Sequence, residues 1–174
     1  MGFLNITGVG GTYIRFNAST EQWLINSKPV QLTEMMIDHT TVKTGWGLIT
    51  EGSPPVWQWD LKLGEVMAQP NKEYRRGFSV QVWVEGYDWL EWASTASGST
   101  IGFNAAFESL WNERHSHPDQ YAVLRYQGST PIRVGKGSTR QPLFQVTGWM
   151  PKALTPLSNP ANPMPVGMNL PFKN

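Results

Sequence analysis

The sequence contains no cysteine, which excludes a disulfide framework and any metal site built on thiolates. No stretch approaches the roughly 18 consecutive apolar residues that a membrane-spanning helix needs. The start of the chain also lacks the charged residues and the apolar run of a secretory signal peptide. These absences predict a soluble protein of the cytoplasm that does not associate with a membrane.

Catalytic and metal-binding motifs are missing as well. The sequence has no Gly-x-Ser-x-Gly nucleophile elbow, no phosphate-binding Walker loop and no His-Glu-x-x-His zinc motif. His115 and His117 flank Ser116 without an obvious third metal ligand, so we expect them to be solvated residues at the end of a helix. His39 is most simply a turn residue. The sequence therefore predicts a protein that is not an enzyme and that holds no metal and no cofactor.

Charge is scarce and unevenly distributed. Charged residues make up 16% of the chain and the formal net charge is +1, so the total does not indicate an anionic partner. However, residues 1–119 carry eight basic and thirteen acidic side chains, whereas residues 120–174 carry six basic and no acidic ones. Such asymmetry is typical of proteins with an anionic partner, although ordinary solubilising charges on strands would give the same count.

Alternation of polar and apolar residues predicts a mainly β protein. Strands are expected at residues 13–17, 22–25, 42–49, 76–85, 88–93, 121–126 and 142–149. A loop is expected from 53 to 70, and a polar, Gly-rich connection between the last two strands. An apolar stripe between Thr100 and Arg114, which includes Ile101, predicts one helix that residues 97–100 cap and Pro118 ends.

This order of elements is that of an oligonucleotide/oligosaccharide-binding (OB) barrel, which has five strands and a helix between the third and fourth. A β-sandwich with one helical insertion would give the same order. We expect an OB-like nucleic-acid-binding domain at residues 13–152. A flexible N-terminus at 1–12 would precede it, and a Pro-rich extended tail at 153–174 would follow it.

Tryptophan is unusually frequent, with nine in 174 residues. Trp111 lies on the helical stripe, and Trp23, Trp89 and Trp92 are best interpreted as core. Four others are candidates for ligand contact, because they lie among polar residues, prolines or glycines: Trp46, Trp57, Trp59 and Trp83. For Trp83 the alternation predicts an open sheet face, since the opposite face already carries the apolar residues Phe78, Val80, Val82 and Val84. Core or barrel-end positions are the alternative for these four.

Basic residues are interleaved with the candidate tryptophans or follow them on the last strands: Lys43, Lys72, Arg75, Arg76, Arg125, Arg133 and Lys136. Single-stranded nucleic acid is bound by aromatic side chains that stack on bases and by cationic grooves that follow phosphates. The combination predicts a binder of single-stranded DNA, or of RNA, with little sequence preference.

Several segments resemble a known family. They are Lys-Thr-Gly-Trp-Gly at 43–47, Trp-Gln-Trp-Asp at 57–60, Arg-Arg-Gly-Phe-Ser-Val at 75–80, the helical segment 97–111, and Phe-Gln-Val-Thr-Gly-Trp at 144–149. Over residues 12–152 the chain resembles OB-fold single-stranded-DNA-binding proteins encoded by bacteriophages and prophages. The resemblance implies a role in phage DNA replication or recombination in the host cytoplasm, with replication proteins and further copies of the chain as partners.

The chain departs from many proteins of that kind at its end, where no acidic residue precedes the Pro171-Phe172 pair. Two other functions stay open. A carbohydrate-binding domain would also expose tryptophans, because they stack on sugar rings. A phage structural or assembly protein would use the same aromatic residues in its core and interfaces.

Overall fold

The computed structural model describes residues 12–154, so the predicted flexible N-terminus and nearly all of the predicted Pro-rich tail lie outside the described residues. Within this range the strands are Tyr13–Asn17 (β1), Gln22–Ile25 (β2), Lys28–Val30 (β3), Glu34–Leu48 (β4), Val56–Trp59 (β5), Arg75–Val84 (β6), Asp88–Ser94 (β7), Gln120–Val134 (β8) and Gly137–Pro151 (β9). The α-helix is Ser97–Trp111 (α1), and short 3₁₀ helices occupy Arg114–Ser116 and Lys152–Leu154.

The strands form one strongly curled sheet in the order β9-β8-β4-β6-β7-β1-β2-β3, and β5 pairs with β4. All pairings are antiparallel except the one between β1 and β7, which is parallel. The central strand is β4, whose first residues pair with β8 and whose last residues pair with β5. A bulge between Asp38 and Lys43 interrupts its register with β6, and bulges increase local twist. The predicted mainly β class is confirmed.

The main core lies between the sheet and α1. Phe103 of α1 stacks on Phe78 of β6 with 4.3 Å between ring centroids, and Trp92 packs edge-on against both rings. Trp23 is buried and contacts Trp92 at 5.3 Å. Aromatic side chains of this size bury 150–250 Å² each and dominate core energetics. The prediction that Trp23 and Trp92 are core residues is confirmed.

Two glycines of α1 bring the helix directly onto β9. A Cβ atom on Gly98 would lie 2.0 Å from the carbonyl oxygen of Arg140, and one on Gly102 would lie 2.5 Å from that of Pro142. The helix is therefore in contact with strand backbone and could not carry larger residues at these positions. It begins at Ser97, with Ala96 at the N-cap and no side-chain capping bond. The expectation that Ile101 belongs to the apolar stripe is wrong, because this side chain is exposed.

The last two strands differ most from the prediction. A two-residue turn at Gly135 and Lys136 joins β8 and β9 into a long antiparallel hairpin, in place of a Gly-rich connection. Near this turn, residues 125–134 of β8 and 137–141 of β9 are exposed or half-buried on both faces. It therefore has no apolar alternation from which a strand could be recognised. No helix within residues 12–154 has the length and apolarity needed to cross a bilayer.

Candidate nucleic-acid interface

A surface groove of about 420 Å³ lies where the start of β6 meets the start of α1 and the end of β8. Four of the predicted site residues line it: Trp46, Lys72, Arg75 and Arg76. Its wall also includes Tyr74, Thr100, Ile101 and Val134. The groove thus joins one end of the curled sheet, the segment between β5 and β6, and the tip of the β8–β9 hairpin.

Trp46 is held in a fixed orientation at this groove. It pairs with Arg76 across β4 and β6, so the two side chains share one face of the sheet. Its indole Nε1 donates a hydrogen bond to the carbonyl oxygen of Met67 at 2.6 Å. The Arg76 guanidinium carbon lies 5.1 Å from the centroid of its ring, within the range of a cation–π contact. The ring is therefore pre-organised for stacking.

Arg76 does not offer a free positive charge. Its two terminal nitrogens donate to the two carboxylate oxygens of Asp60 at 3.0 and 2.6 Å. Asp60 also accepts hydrogen bonds from Thr44 Oγ1 and from the backbone N–H of Met67. The Asp60 side chain is 1% exposed, and the hydrogen bonds from Arg76 hold its pKa far below the ordinary value. The ion pair compensates the charge of Arg76 and places this residue to position Trp46 and the segment after β5, while the phosphate contact at Arg76 stays a prediction.

Lys72 and Arg75 are both exposed at the groove, and no ion pair with another described residue occupies either one. Arg133 and Lys136 are exposed at the tip of the β8–β9 hairpin, where the intervening Val134 lines the groove. The fold therefore places Lys72 and Arg75 in the groove, and Arg133 and Lys136 on the hairpin tip whose Val134 borders it. They come from segments that are about 60 residues apart in the sequence.

Arg125 is not among these cations. It lies on β8 nine residues before Val134, which is about 30 Å along an extended strand. Its guanidinium pairs with Glu34 of β4 at 3.1 Å. The structure therefore separates Arg125 from the groove and compensates its charge.

Trp57 and Trp59 stack on each other with 4.3 Å between ring centroids and 7° between ring planes. Lys43 Nζ lies 4.6 Å from the centroid of the Trp59 ring. Both tryptophans belong to β5, where a loop was expected, and they lie opposite Gly47 and Gly45 of β4. Because neighbouring residues of a strand point to opposite faces, this pair lies on the face of β4 that Trp46 does not occupy.

The two glycines explain why this segment forms a strand. A Cβ atom on Gly47 would lie 2.7 Å from the Trp57 ring, and one on Gly45 would lie 2.5 Å from the carbonyl oxygen of Gln58. The backbone and rings of β5 therefore approach these two glycines closely. The indole rings lie over bare backbone, so the tryptophans are half-buried by the sheet itself.

The prediction that Trp83 lies on an open sheet face is wrong. The side chain is 5% exposed and packs in a second, smaller apolar cluster with Met36, Val123 and Met150. Both faces of β6 are buried at this end, since Trp83 and its neighbours Val82 and Val84, which point to the opposite face, are all buried. Met36 of β4 and Trp89 of β7, the cross-strand partners of Trp83, lie on the same face as Trp83. A side chain buried in this way cannot stack on a base. The polar neighbours of Trp83 in the sequence concealed its burial.

Sequence reasoning missed Tyr74, a half-buried side chain that lines the groove beside Arg75. Its position directly before the Arg-Arg pair was the available signal. Within residues 12–154, no three His, Asp or Glu side chains lie close enough together to hold a metal ion.

Compared with known proteins, the chain matches no family model, no curated protein and no solved structure. Its resemblance to phage single-stranded-DNA-binding proteins therefore stays a prediction.

Proposed function

We propose that the protein binds single-stranded nucleic acid, without catalysing a reaction, in the groove between β6, α1 and the β8–β9 tip. The observation that carries the proposal is the convergence of a fixed tryptophan ring, Trp46, with exposed cations from separate segments. Stacking platforms and cations along one groove are the means by which single strands are held with little sequence preference. Trp46 and Tyr74 would stack on bases, and Lys72, Arg75, Arg133 and Lys136 would contact phosphates.

An OB barrel is the finer fold that we propose within the mainly β class. In such a barrel the first strand lies between the second and the fourth, and a helix precedes the fourth. β4, β6, β7, β8 and β9 would be the five strands, because β4 lies between β6 and β8, and α1 precedes β8. β7 has β1 as its outer neighbour, so the barrel would be partly open there.

The position of the groove supports this assignment. OB folds bind oligonucleotides on the second and third strands and on the loops that follow the first and fourth strands. The corresponding connections here are residues 49–74 and the turn at Gly135 and Lys136. Lys72 of the first connection and Val134 at the edge of the second both lie at the groove. A strand that left the groove around β5 would next meet Trp59 and Lys43.

The proposal can be tested by titrating the protein with oligo-dT. Trp46→Ala should weaken binding by about 1–3 kcal/mol, the usual value for one stacking side chain. Tyr87→Ala is a matched control, because Tyr87 is an exposed aromatic residue in the turn between β6 and β7 and should leave affinity unchanged. Equal affinities for the wild type and a folded Trp46→Ala variant would contradict the proposed site.

A carbohydrate is the second candidate ligand, and the Asp60–Arg76 pair favours it. A buried carboxylate that compensates an arginine beside a tryptophan ring leaves the part of the groove at Trp46 polar and without net charge, and neutral sugars need no net positive charge. Titrations of the protein with a neutral oligosaccharide and with oligo-dT, each followed by tryptophan fluorescence, separate the two candidates. Quenching of the tryptophan fluorescence by the sugar and not by oligo-dT would favour the carbohydrate.

The proposed setting is phage DNA replication or recombination in the host cytoplasm, with replication proteins and further copies of the chain as partners. It is supported by the resemblance of the segments described above. Light scattering of the protein with and without oligo-dT tests the oligomeric part: a mass that stays that of a single chain would exclude association with further copies.

A further inference from the structure

A second cluster of aromatic and basic side chains lies at the far end of α1. The Arg114 guanidinium carbon is 3.3 Å from the centroid of the Trp111 ring. His117 stacks on Trp149 with 4.5 Å between centroids and 7° between planes. His39 lies between the two tryptophans, 6.3 Å from Trp111 and 6.4 Å from Trp149. We call these five residues, with Lys152 and Tyr121, the end cluster.

The end cluster contains two cations that form no ion pair with a described residue and one buried nitrogen atom that forms no hydrogen bond with one. Lys152 Nζ lies 5.3 Å from the Tyr121 ring, and neither Lys152 nor Arg114 forms an ion pair with a described residue. One terminal nitrogen of Arg114 donates a hydrogen bond to the carbonyl oxygen of Trp111. The buried Nδ1 atom of His39 has no hydrogen-bond partner among the described residues. Burial lowers the pKa of His39, and Lys152 and Arg114 lower it further against the opposite effect of Asp38.

Neither histidine has the position that the sequence indicated. His39, expected in a turn, lies within β4 at the bulge after Asp38. His117, expected to be solvated, is half-buried by its stack on Trp149. The bulge and the 3₁₀ turn after α1 bring both histidines to Trp149.

A continuous stripe of α1 connects the groove to the end cluster. Thr100 lines the groove, and with Arg76 it also lines an adjoining cavity of about 250 Å³. Asn104 and Phe107 line that cavity further along the helix, and Phe107 stacks on Trp111 at 4.9 Å. These positions recur every three or four residues and so lie on one side of the helix. The 15-residue helix is about 22 Å long.

We propose that the end cluster is a second contact for the same single strand, which would run from the groove along α1. Arg114 and Lys152 would contact phosphates, and Trp149 with its stacked histidine would contact a base. This inference rests on the proposed function, because the ligand class is the same. It adds a site that the groove alone does not contain, and it predicts that affinity depends on the length of the strand.

The test uses oligo-dT of about 4 to about 16 nucleotides, the range of OB-fold site sizes, with Arg114→Gln/Lys152→Gln as the variant. Arg15→Gln/Lys28→Gln is the matched control, because both side chains are exposed on β1 and β3 and are not part of either site. With short strands all three proteins should bind equally. With long strands the double variant alone should lose the gain in affinity. Its salt slope, which is the slope of the logarithm of the affinity against the logarithm of the salt concentration, should become less steep by about 1.4, at about 0.7 per phosphate.

The outcomes separate the two proposals. An Arg114→Gln/Lys152→Gln variant that keeps the wild-type length dependence and salt slope would overturn the end cluster as a binding site while leaving the groove intact. Failure of the wild-type protein to bind oligo-dT at any of the lengths tested would overturn the proposed function itself. Thermal melting of each variant shows that the comparison is made between folded proteins.

Discussion

Asp60 and Arg76 form a bidentate ion pair directly beside the ring of Trp46. The carboxylate is almost completely buried, whereas the guanidinium is about one-third exposed. Through further hydrogen bonds from Thr44 and Met67, Asp60 also ties the segment after β5 to β4. The pair therefore determines how the groove is shaped, although neither residue contributes net charge to it.

Asp60→Asn should lower the free energy of unfolding by about 1–3 kcal/mol, because it leaves polar groups of Arg76 without full partners. The pKa of Asp60 is depressed in the folded state, so its stabilising contribution is present above the unfolded value near 3.8. That contribution is lost as the pH falls below this value. Urea unfolding at neutral pH and near pH 3 checks both points. A difference between wild type and variant that does not shrink in acid would contradict the role of the ionised pair.

Trp83→Ala should lower the free energy of unfolding by about 3–5 kcal/mol, because it removes a large side chain from a closed apolar cluster. Its folded fraction should bind oligo-dT as the wild type does. Denaturation curves and binding titrations measure the two effects separately. A stable variant with weakened binding would instead restore Trp83 to the interface.

Gly45→Ala should displace β5, because the new methyl group would collide with the backbone of Gln58 and with Trp59. We expect a loss of about 1–3 kcal/mol of stability and a changed near-ultraviolet circular dichroism signal from the stacked Trp57–Trp59 pair. Gly148→Ala is the matched control, since a Cβ atom there meets nothing within 4 Å. Unchanged dichroism in Gly45→Ala would show that β5 tolerates the methyl group.

Removal of single charges should distinguish the cations at the groove from the others. Arg75→Gln and Arg133→Gln should each reduce the salt slope of oligo-dT binding by about 0.7, the value for one phosphate contact on a single strand. Arg125→Gln should not change the slope, because this residue lies far along β8 and pairs with Glu34. Equal effects of all three variants would indicate a diffuse charge attraction and no defined groove.

Local pattern predicted those elements that have a continuous apolar face. The strands β1, β2, β6 and β7 were all predicted from alternation, and in the structure β1 pairs with β2 and β6 pairs with β7. The strand β5 could not be predicted, because its two tryptophans pack over glycines of a different strand. The exposed half of the β8–β9 hairpin has no apolar face, so its residues carry no strand signal.

The candidate site likewise has a part that the sequence predicts and a part that only the tertiary structure reveals. The convergence of Trp46 with Arg75 and Arg76 follows from two strands that are both recognisable in the sequence. The compensation of Arg76 does not, because Asp60 is 16 residues away and only the tertiary structure brings it there. Burial of Trp83 likewise depends on Met150, which is contributed by the far end of the chain.

The salt dependence of wild-type binding to a short oligo-dT, followed by tryptophan fluorescence, tests the central claim most directly. Four uncompensated cations lie at or beside the groove: Lys72, Arg75, Arg133 and Lys136. The logarithm of the affinity should therefore fall linearly with the logarithm of the salt concentration, with a slope of about −2.8 at about −0.7 per phosphate. An absence of quenching, or an affinity that does not change with salt, would contradict the assignment of the groove to single-stranded nucleic acid.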